Sequence, residues 1–540
     1  MRGRALPLAG ALLIWPALHA VSTNCGAELC TLIVSGNLSE LRWPDFSDQR
    51  QNLERLYEFR SYTPIWLRNN EPTPQALKTI EALKDAGSEG LDPRNYDGPL
   101  WDGRLSALRS GAITPHRFDL ALSVSALRYA SDRRFGRVNP SPVRDADLAT
   151  WVFQRLASSN DPQAALPELD PPFEDYRRLR MALEAYQGAA QGDSQKLPVP
   201  KRPVEPGQPY DGAARLAAVL RLTGDFPSGG APPKPGIYEG ALAQAVKRFQ
   251  SRHGLNPDGR LGPKTLEELN AGLARHARRL LLALERWRWL PRDRPGPSII
   301  VNIPEFRLRA LNASGKTELA MKVVVGKAHG FHTPQFSADM KHLIFRPYWN
   351  VPPSIQHKEL IPEIENDVSY LSNNNFEVTN SAGAVVSTGR VSNEILNGLR
   401  RGAFQIRQRP GPKNALGGLK FVLPNSHDVY LHDTPSRSLF AHARRDFSHG
   451  CIRVEKAAVL AAWVLQDRPG WTKERILAAM SSGALARQVN LSHHIPVHIV
   501  YQTTVVGEDG VPHFFDDIYG LDEPLYRQLT NAAPGPHPRG

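Results

Sequence analysis

The chain of 540 residues carries 66 lysines and arginines against 54 aspartates and glutamates, a net charge of +12. Such a length holds two or three domains, because single cores stop growing well below it, and a 41% hydrophobic content excludes wholesale disorder. Three cysteines are too few for a disulfide scaffold or a cysteine-based metal cluster, and the dispersed basic residues accompany no nucleic-acid-binding motif, so the charge reads either as solubility or as attraction to a polyanionic wall or membrane surface.

Arg2 and Arg4 precede an apolar run from Leu6 to Ala20 that is too short and too proline-interrupted to span a bilayer. This predicts a secretory signal over 1–20, cut after Leu18-His19-Ala20, with an uncleaved anchor as the alternative. Ser22 stands where a lipidation motif usually has leucine, which argues against a lipidated Cys25. Cys25 and Cys30 are close enough in sequence for a local disulfide in an oxidising compartment. Cys451 is then the odd thiol, and in an exported protein that requires burial or a chemical role.

From about 45 to 195 the apolar residues fall at helical spacing, as in Leu53, Leu56 and Tyr57 or Leu120, Val124 and Leu127, and Pro74 sits where a helix begins. A helical scaffold over 36–200 is expected. The proline-rich run from Leu197 to Gly207 reads as a stiff linker or domain edge. A helical hairpin follows over 206–275: Leu242, Ala245, Val246 and Phe249 share one face, a His253-Gly-Leu-Asn-Pro-Asp-Gly turn intervenes, and Gly262-Pro-Lys-Thr-Leu opens a second helix.

Beyond Arg275 the texture turns to short β-rich runs, Ser298 to Ile303, Phe306 to Leu311 and Met321 to Gly326, predicting a mostly-β domain over 276–520 and a tail over 521–540. Within it a polar stretch, about 351–405, carries a helix-like patch at Glu359 to Ile364, ends loop-rich, and reads as a lid. The fold class is therefore multidomain α+β.

The chemistry concentrates in Asp428-Val-Tyr-Leu-His-Asp-Thr-Pro and Asp446-Phe-Ser-His-Gly-Cys-Ile-Arg-Val. Strand alternation places Val429 and Leu431 on one face and Tyr430 and His432 on the other. Cys451 stands ahead of an apolar helical run from Ala457 to Leu465, and a thiol near a helix N-terminus or an imidazole is expected to titrate below its ordinary value of about 8.5. A nucleophilic thiol needs a base and oxyanion donors. His432 and His449 are the candidate bases, and Gly450 and Cys451 offer backbone N–H groups. Arg453 suits a substrate carboxylate or an internal ion pair. Tyr430 suits a substrate groove or sheet packing, His449 a substrate contact or a loop brace, and Trp349, between Tyr348 and Asn350, an aromatic wall or packing. His493, His494 and His498 raise a metal hydrolase, yet no His-Glu-x-x-His motif occurs.

Ser448-His-Gly-Cys-Ile-Arg, with a histidine nineteen residues before the cysteine, resembles the signature of the YkuD-type L,D-transpeptidases. Val325-Gly-Lys with Thr333-Pro is similar to the family's early strand and loop. Ala245-Val-Lys-Arg-Phe-Gln, Gly254-Leu-Asn-Pro-Asp-Gly and Gly262-Pro-Lys-Thr-Leu resemble a peptidoglycan-binding domain, and the whole layout is similar to the large YcbB-like members. The resemblance implies Cys451 as nucleophile, His432 as proton shuttle and the Asp433 backbone carbonyl as its orienting partner, although smaller members often have glycine at that position. It further implies a thioester with the diaminopimelate of a tetrapeptide stem, loss of D-alanine, a 3-3 cross-link, and acylation by carbapenems. The acceptor is left open among the diaminopimelate amine, water, a D-amino acid and a lipoprotein lysine. Implied partners are peptidoglycan stems and glycan and other cell-wall synthesis proteins, in the periplasm, with no nucleic acid, metal or cofactor.

Overall fold

The structure, a computed structural model, describes residues 27–140, 147–190, 196–227, 234–292 and 296–531. The expected signal and Cys25 lie outside them. Cys30 is disulfide-bonded and Cys451 is a free thiol. Among the described residues no helix is long and apolar enough to cross a membrane.

The scaffold is built around helix α1 (Pro115–Phe135), which starts where Thr114 accepts from the Arg117 N–H and Pro115 needs no donor. Leu120, Val124 and Leu127 are fully buried there, in one core with Leu53, Leu56 and Tyr57. Pro74 does begin a helix, Pro74–Lys84, capped by Thr73. Helix α2 (Glu174–Ala190) leaves this core, although the sequence reading extends the scaffold to 200.

In the next unit, α3 (Gly240–Arg252) buries Leu242, Ala245, Val246 and Phe249 in one core with Leu216, Ala217 and Leu220 of the helix Ala213–Leu222 and with Leu266 and Leu269 of α4 (Pro263–Asn270). The proline-rich run is part of this unit. Leu197 and Val204 lie in its core, and Leu197 exchanges hydrogen bonds with the Asn270 side chain, 2.7 and 3.1 Å. Helix α5 (Gly272–Trp287) then runs back along α2, so that Tyr176, Leu179 and Leu183 pack on Leu280, Leu284 and Trp287.

Where this module meets the β domain, Arg252 pairs with Asp225 and donates to the Pro512 carbonyl. Beside it, Nδ1 of His253 and Nε2 of His276 both donate to one oxygen of Glu268 at 3.1 Å. These three ligand atoms lie within 4.8 Å of one another, close enough for a metal ion. However, Arg275 and Arg279 approach the same carboxylate to 3.5 Å, and the outer nitrogens of both rings lack the partner that orients a metal-bound imidazole. The cluster is a hydrogen-bonded joint.

The β domain comprises β1 (Ser298–Asn302), β2 (Arg307–Leu311), β3 (Thr317–Gly326), β4 (Phe336–Phe345), the insert strands β5 (Trp349–Asn350), β6 (Phe376–Asn380), β7 (Val385–Ser387) and β8 (Phe404–Gln408), then β9 (Leu419–Val422), β10 (Leu431–His432), β11 (Asp446–Ser448), β12 (Ile452–Val454), helix α6 (Ala457–Val464) and β13 (Arg487–Val500). The main sheet runs β11-β3-β12-β10-β9-β4-β13-β1-β2, and β2 pairs back onto β3 to close it. Its interior is an apolar core of Val301, Val323, Leu343, Phe421, Leu431 and Ile452, among others.

The insert leaves at Arg346 and returns at Gly418, whose carbonyl accepts from the Arg346 N–H at 2.9 Å. It is more ordered than the sequence suggests. A sheet β7-β6-β8-β5 and the helical stretch from Pro353 to Asn366 enclose their own core of Val351, Ile361, Leu371, Phe376, Val378 and Ile406. β6 brings two core residues, Phe376 and Val378, and β8 one, Ile406, while the valines of β7 are exposed, too few for a visible period. The expected tail likewise begins as a helix, Asp522–Asn531, fixed to α5 by Arg286 and Asp522 at 2.7 Å.

Burial drives the His253 imidazole down to about 3 and lowers His276 in the same direction. The two rings in turn hold Glu268 below the carboxylate range despite its burial. The unfolded imidazoles take up protons below about 6.5 while the folded ones do not, so the joint's contribution is present above that pH and lost as pH falls. The unfolding free energy is therefore expected to drop between pH 7.5 and 5, by up to about 1.4 kcal/mol per pH unit for each imidazole, and Tm with it. The drop should be smaller in His253→Gln, and equal slopes in both proteins would contradict this.

Candidate active site

The site is laid out by strand register. β10 pairs in parallel with β12, Leu431 opposite Ile452 and His432 opposite Arg453, while on its other side Lys420 of β9 stands opposite His432. The Ile452 N–H donates to the Tyr430 carbonyl at 3.1 Å, which brings Cys451 beside Tyr430. Val429 and Leu431 point into the core, as alternation requires, and Tyr430 and His432 take the other face. One row across that face therefore reads Lys420, His432, Arg453, and the neighbouring row Tyr430, Cys451.

His432 is 4% exposed, and its Nδ1 lies 2.6 Å from the Asp433 carbonyl. A carbonyl only accepts, so Nδ1 carries the proton and Nε2 keeps a free lone pair. Burial, followed by the charge of Arg453 and then of Lys420, brings this imidazole down to about 3. It is neutral at rest. The Asp433 carboxylate accepts from the Gly418 N–H at 2.9 Å and pairs with Arg437, which gives an aspartate a structural reason to stand there.

The thiol departs from expectation. Cys451 is not at a helix N-terminus, because β12 intervenes and α6 begins only at Ala457. Burial pushes the thiol up rather than down, against the opposing pull of the Tyr430 backbone and phenol and of the Lys420 and Arg453 charges. Its sulfur lies 3.8 Å from the Asp428 carbonyl. The resting pair is thus a neutral thiol and a neutral imidazole.

The role expected of Gly450 is corrected. The Gly450 N–H, expected to meet an oxyanion, donates to Ser448 Oγ at 3.2 Å, since the glycine's φ of +111° turns that group back into the loop. Of the two roles weighed for His449, the loop brace is the one formed: it donates from Nε2 to Glu359 of the insert at 2.6 Å and packs edge-on against Phe331, tying the insert to the cysteine loop. Trp349 lies at the entrance to the insert and interacts with the Tyr430 phenol. Arg453 makes no ion pair or hydrogen bond among the described residues, and its Nε is buried without a partner. The internal ion pair weighed for it is not formed.

The loop carrying Cys451 is held by residues to which the sequence reading assigned no role. Ser448 Oγ donates to the Cys451 carbonyl at 2.5 Å, and buried Thr333 donates to the Gly450 carbonyl at 2.7 Å while accepting from the Gly326 N–H at 2.9 Å. Tyr519 donates to the Gly326 carbonyl at 2.7 Å. Gly326 tolerates no side chain, because a Cβ there would stand 1.9 Å from the Phe331 carbonyl. Of these, Ser448 stands in the motif around Cys451 and Gly326 and Thr333 in the Val325-Gly-Lys and Thr333-Pro pattern, while Tyr519 gave no signal. The histidines of the metal reading do not converge: His493 is exposed beside Asp467, His494 is exposed, and His498 is buried on Ser337 at 2.8 Å.

With this geometry in place, the matches to known proteins are specific by region. Residues 296–481 match the family described as the YkuD L,D-transpeptidase catalytic domain, 51–183 a scaffold domain, and 216–269 a "Putative peptidoglycan binding domain". A "Putative L,D-transpeptidase" of Haemophilus influenzae is 32% identical over 247 residues, 46% of this chain and 48% of the relative, so the chain spans about half the length of the curated relative it matches. Among solved structures, an L,D-transpeptidase of Stackebrandtia nassauensis aligns over 56% of this chain and 97% of its own at 13% identity, TM-score 0.22. One from Xylanimonas cellulosilytica aligns over 56% and 100% at 15% identity, TM-score 0.16.

Two outcomes follow. Thr333→Val strands the Gly326 N–H and the Gly450 carbonyl, and is expected to lower stability by about 1–3 kcal/mol in denaturant titration. It should also slow Cys451 alkylation; unchanged values would show the loop is held elsewhere. Because the thiol is raised, its alkylation by iodoacetamide should still be accelerating at pH 9, and a plateau below pH 8 would contradict the neutral resting pair.

Proposed function

We propose that this chain, which carries an L,D-transpeptidase catalytic domain beside a peptidoglycan-binding domain, transfers the acyl group of a peptidoglycan tetrapeptide stem through a thioester on Cys451. The observation that carries the reading is the register of β10 with β12, which sets Cys451, immediately before β12, and a His432 with a free Nε2 on the same side of the sheet, beside cations without counter-ions.

In this reading Nε2 of His432 takes the thiol proton as the sulfur attacks the carbonyl between diaminopimelate and the terminal D-alanine. The Asp433 carbonyl keeps the ring in the tautomer that can do so. The same proton then leaves with the D-alanine amine. Lys420 and Arg453 favour the thiolate but oppose an imidazolium, so a carboxylate-bearing substrate that neutralises them would lower the cost of the proton transfer. The fork of Arg453 suits such a carboxylate. Since the Gly450 N–H is engaged, the Cys451 N–H and the Tyr430 phenol are the donors left for the oxyanion. The second stem's diaminopimelate amine then attacks the thioester to give a 3-3 cross-link. The insert, strapped to the loop through Glu359 and His449, would exclude the water that competes with this amine. Export by the segment 1–20 would bring the chain to the wall in the periplasm, where other cell-wall synthesis proteins work.

The test is to incubate the full mature chain and its Cys451→Ala variant with diaminopimelate-containing disaccharide-tetrapeptides and resolve products by tandem mass spectrometry. A 3-3 dimer formed only by the wild type is expected. Tripeptide alone would make water the acceptor, and equal products from both proteins would remove Cys451 from the chemistry.

A further inference from the structure

Two cations without counter-ions stand on the working face of the sheet, and the acyl transfer above accounts for one of them. The other is Lys420. It occupies the row of His432 and Arg453, one strand to the far side of His432. Its ammonium sits 3.6 Å from the centroid of the Tyr430 ring, whose phenol adjoins the Cys451 sulfur. The residue is half-buried and makes no hydrogen bond or ion pair among the described residues. Asp428, whose charge reaches it, forms no ion pair with it.

A ring face compensates an ammonium only weakly, and the half-buried Lys420 has no carboxylate paired with it among the described residues. The aromatic contact orients Lys420 and leaves its charge available to an anion from outside the chain.

We infer that Lys420 reads a carboxylate of the donor stem peptide, from the side of His432 opposite Arg453. This rests on the transpeptidase reading and deepens it, by making recognition of the donor a matter of two cations bracketing the base. Two carboxylates of the stem flank the scissile amide: that of the terminal D-alanine, two bonds from the scissile nitrogen, and that of the diaminopimelate side chain. Once either is bound, the field that Lys420 exerts on His432 is offset, and the imidazole can accept the thiol proton.

The experiment uses the full chain as wild type, K420Q and K420R with three donors: the free tetrapeptide, its C-terminal amide, and the form amidated on the diaminopimelate side chain. For the free donor K420Q should raise KM roughly tenfold to a hundredfold, the range of a charge-assisted hydrogen bond. K420R should keep most of the affinity. One amidated donor should bind the wild type weakly to a similar degree and lose nothing further in K420Q, which identifies the carboxylate. Alkylation of Cys451 by neutral iodoacetamide, run in parallel, separates binding from thiol tuning. If K420Q slows all three donors and iodoacetamide by the same factor, Lys420 acts on the thiol alone and the inference is overturned, as it is by an unchanged KM. A wild type that turns over none of the donors would overturn the transpeptidase reading and this inference with it.

Discussion

The parallel pairing of β10 with β12 is the contact on which the rest of the site depends. It joins two segments nineteen residues apart in sequence and fixes which side chains share a face: a slip of one residue would send His432 and Tyr430 into the apolar core and bring Leu431 out. Burial of Leu431 and Ile452 makes that slip costly, so the hydrophobic core enforces the register of the candidate site. The row Lys420, His432, Arg453 and the adjacent Tyr430 and Cys451 are consequences of the same pairing, extended one strand to each side.

Burial also sets the electrostatics. The site is dry enough to keep both thiol and imidazole neutral, and positive enough that the thiolate gains and the imidazolium loses. These tendencies oppose each other across a single proton transfer. Thiol and imidazole are therefore both held in the neutral form, and in the proposed reading an anionic substrate would supply the charge that tips the balance. The cysteine loop itself is rigid for separate reasons: Thr333, Ser448 and Tyr519 satisfy its turned backbone groups, and the insert reaches it through Glu359.

What the sequence made legible was local. His432 and Cys451 were readable because their motifs are contiguous, strand alternation alone assigned Tyr430 and His432 to one face, and Leu242, Ala245, Val246 and Phe249 declared a helix by their spacing. Lys420 was not readable, since a lysine on a strand looks like any solvated lysine until its neighbours across the sheet are known. Thr333, Tyr519 and Glu359 act over 117, 193 and 90 positions of sequence separation, and no local pattern carries such distances. The direction of the Cys451 shift was misjudged for a related reason: proximity to a helix can be guessed from sequence, whereas desolvation depends on everything packed around the sulfur. The same holds for the insert, whose core is assembled from single residues of many short elements.

The most direct measurement of the central claim is the covalent intermediate. The full chain would be mixed with a diaminopimelate tetrapeptide, quenched in acid within the first turnover, digested and mapped by mass spectrometry. A tripeptide acyl group on the peptide containing Cys451, absent from a His432→Gln variant quenched at the same time, is the predicted result. Product formed with no acyl group on Cys451, or an acyl group that accumulates equally without His432, would contradict it.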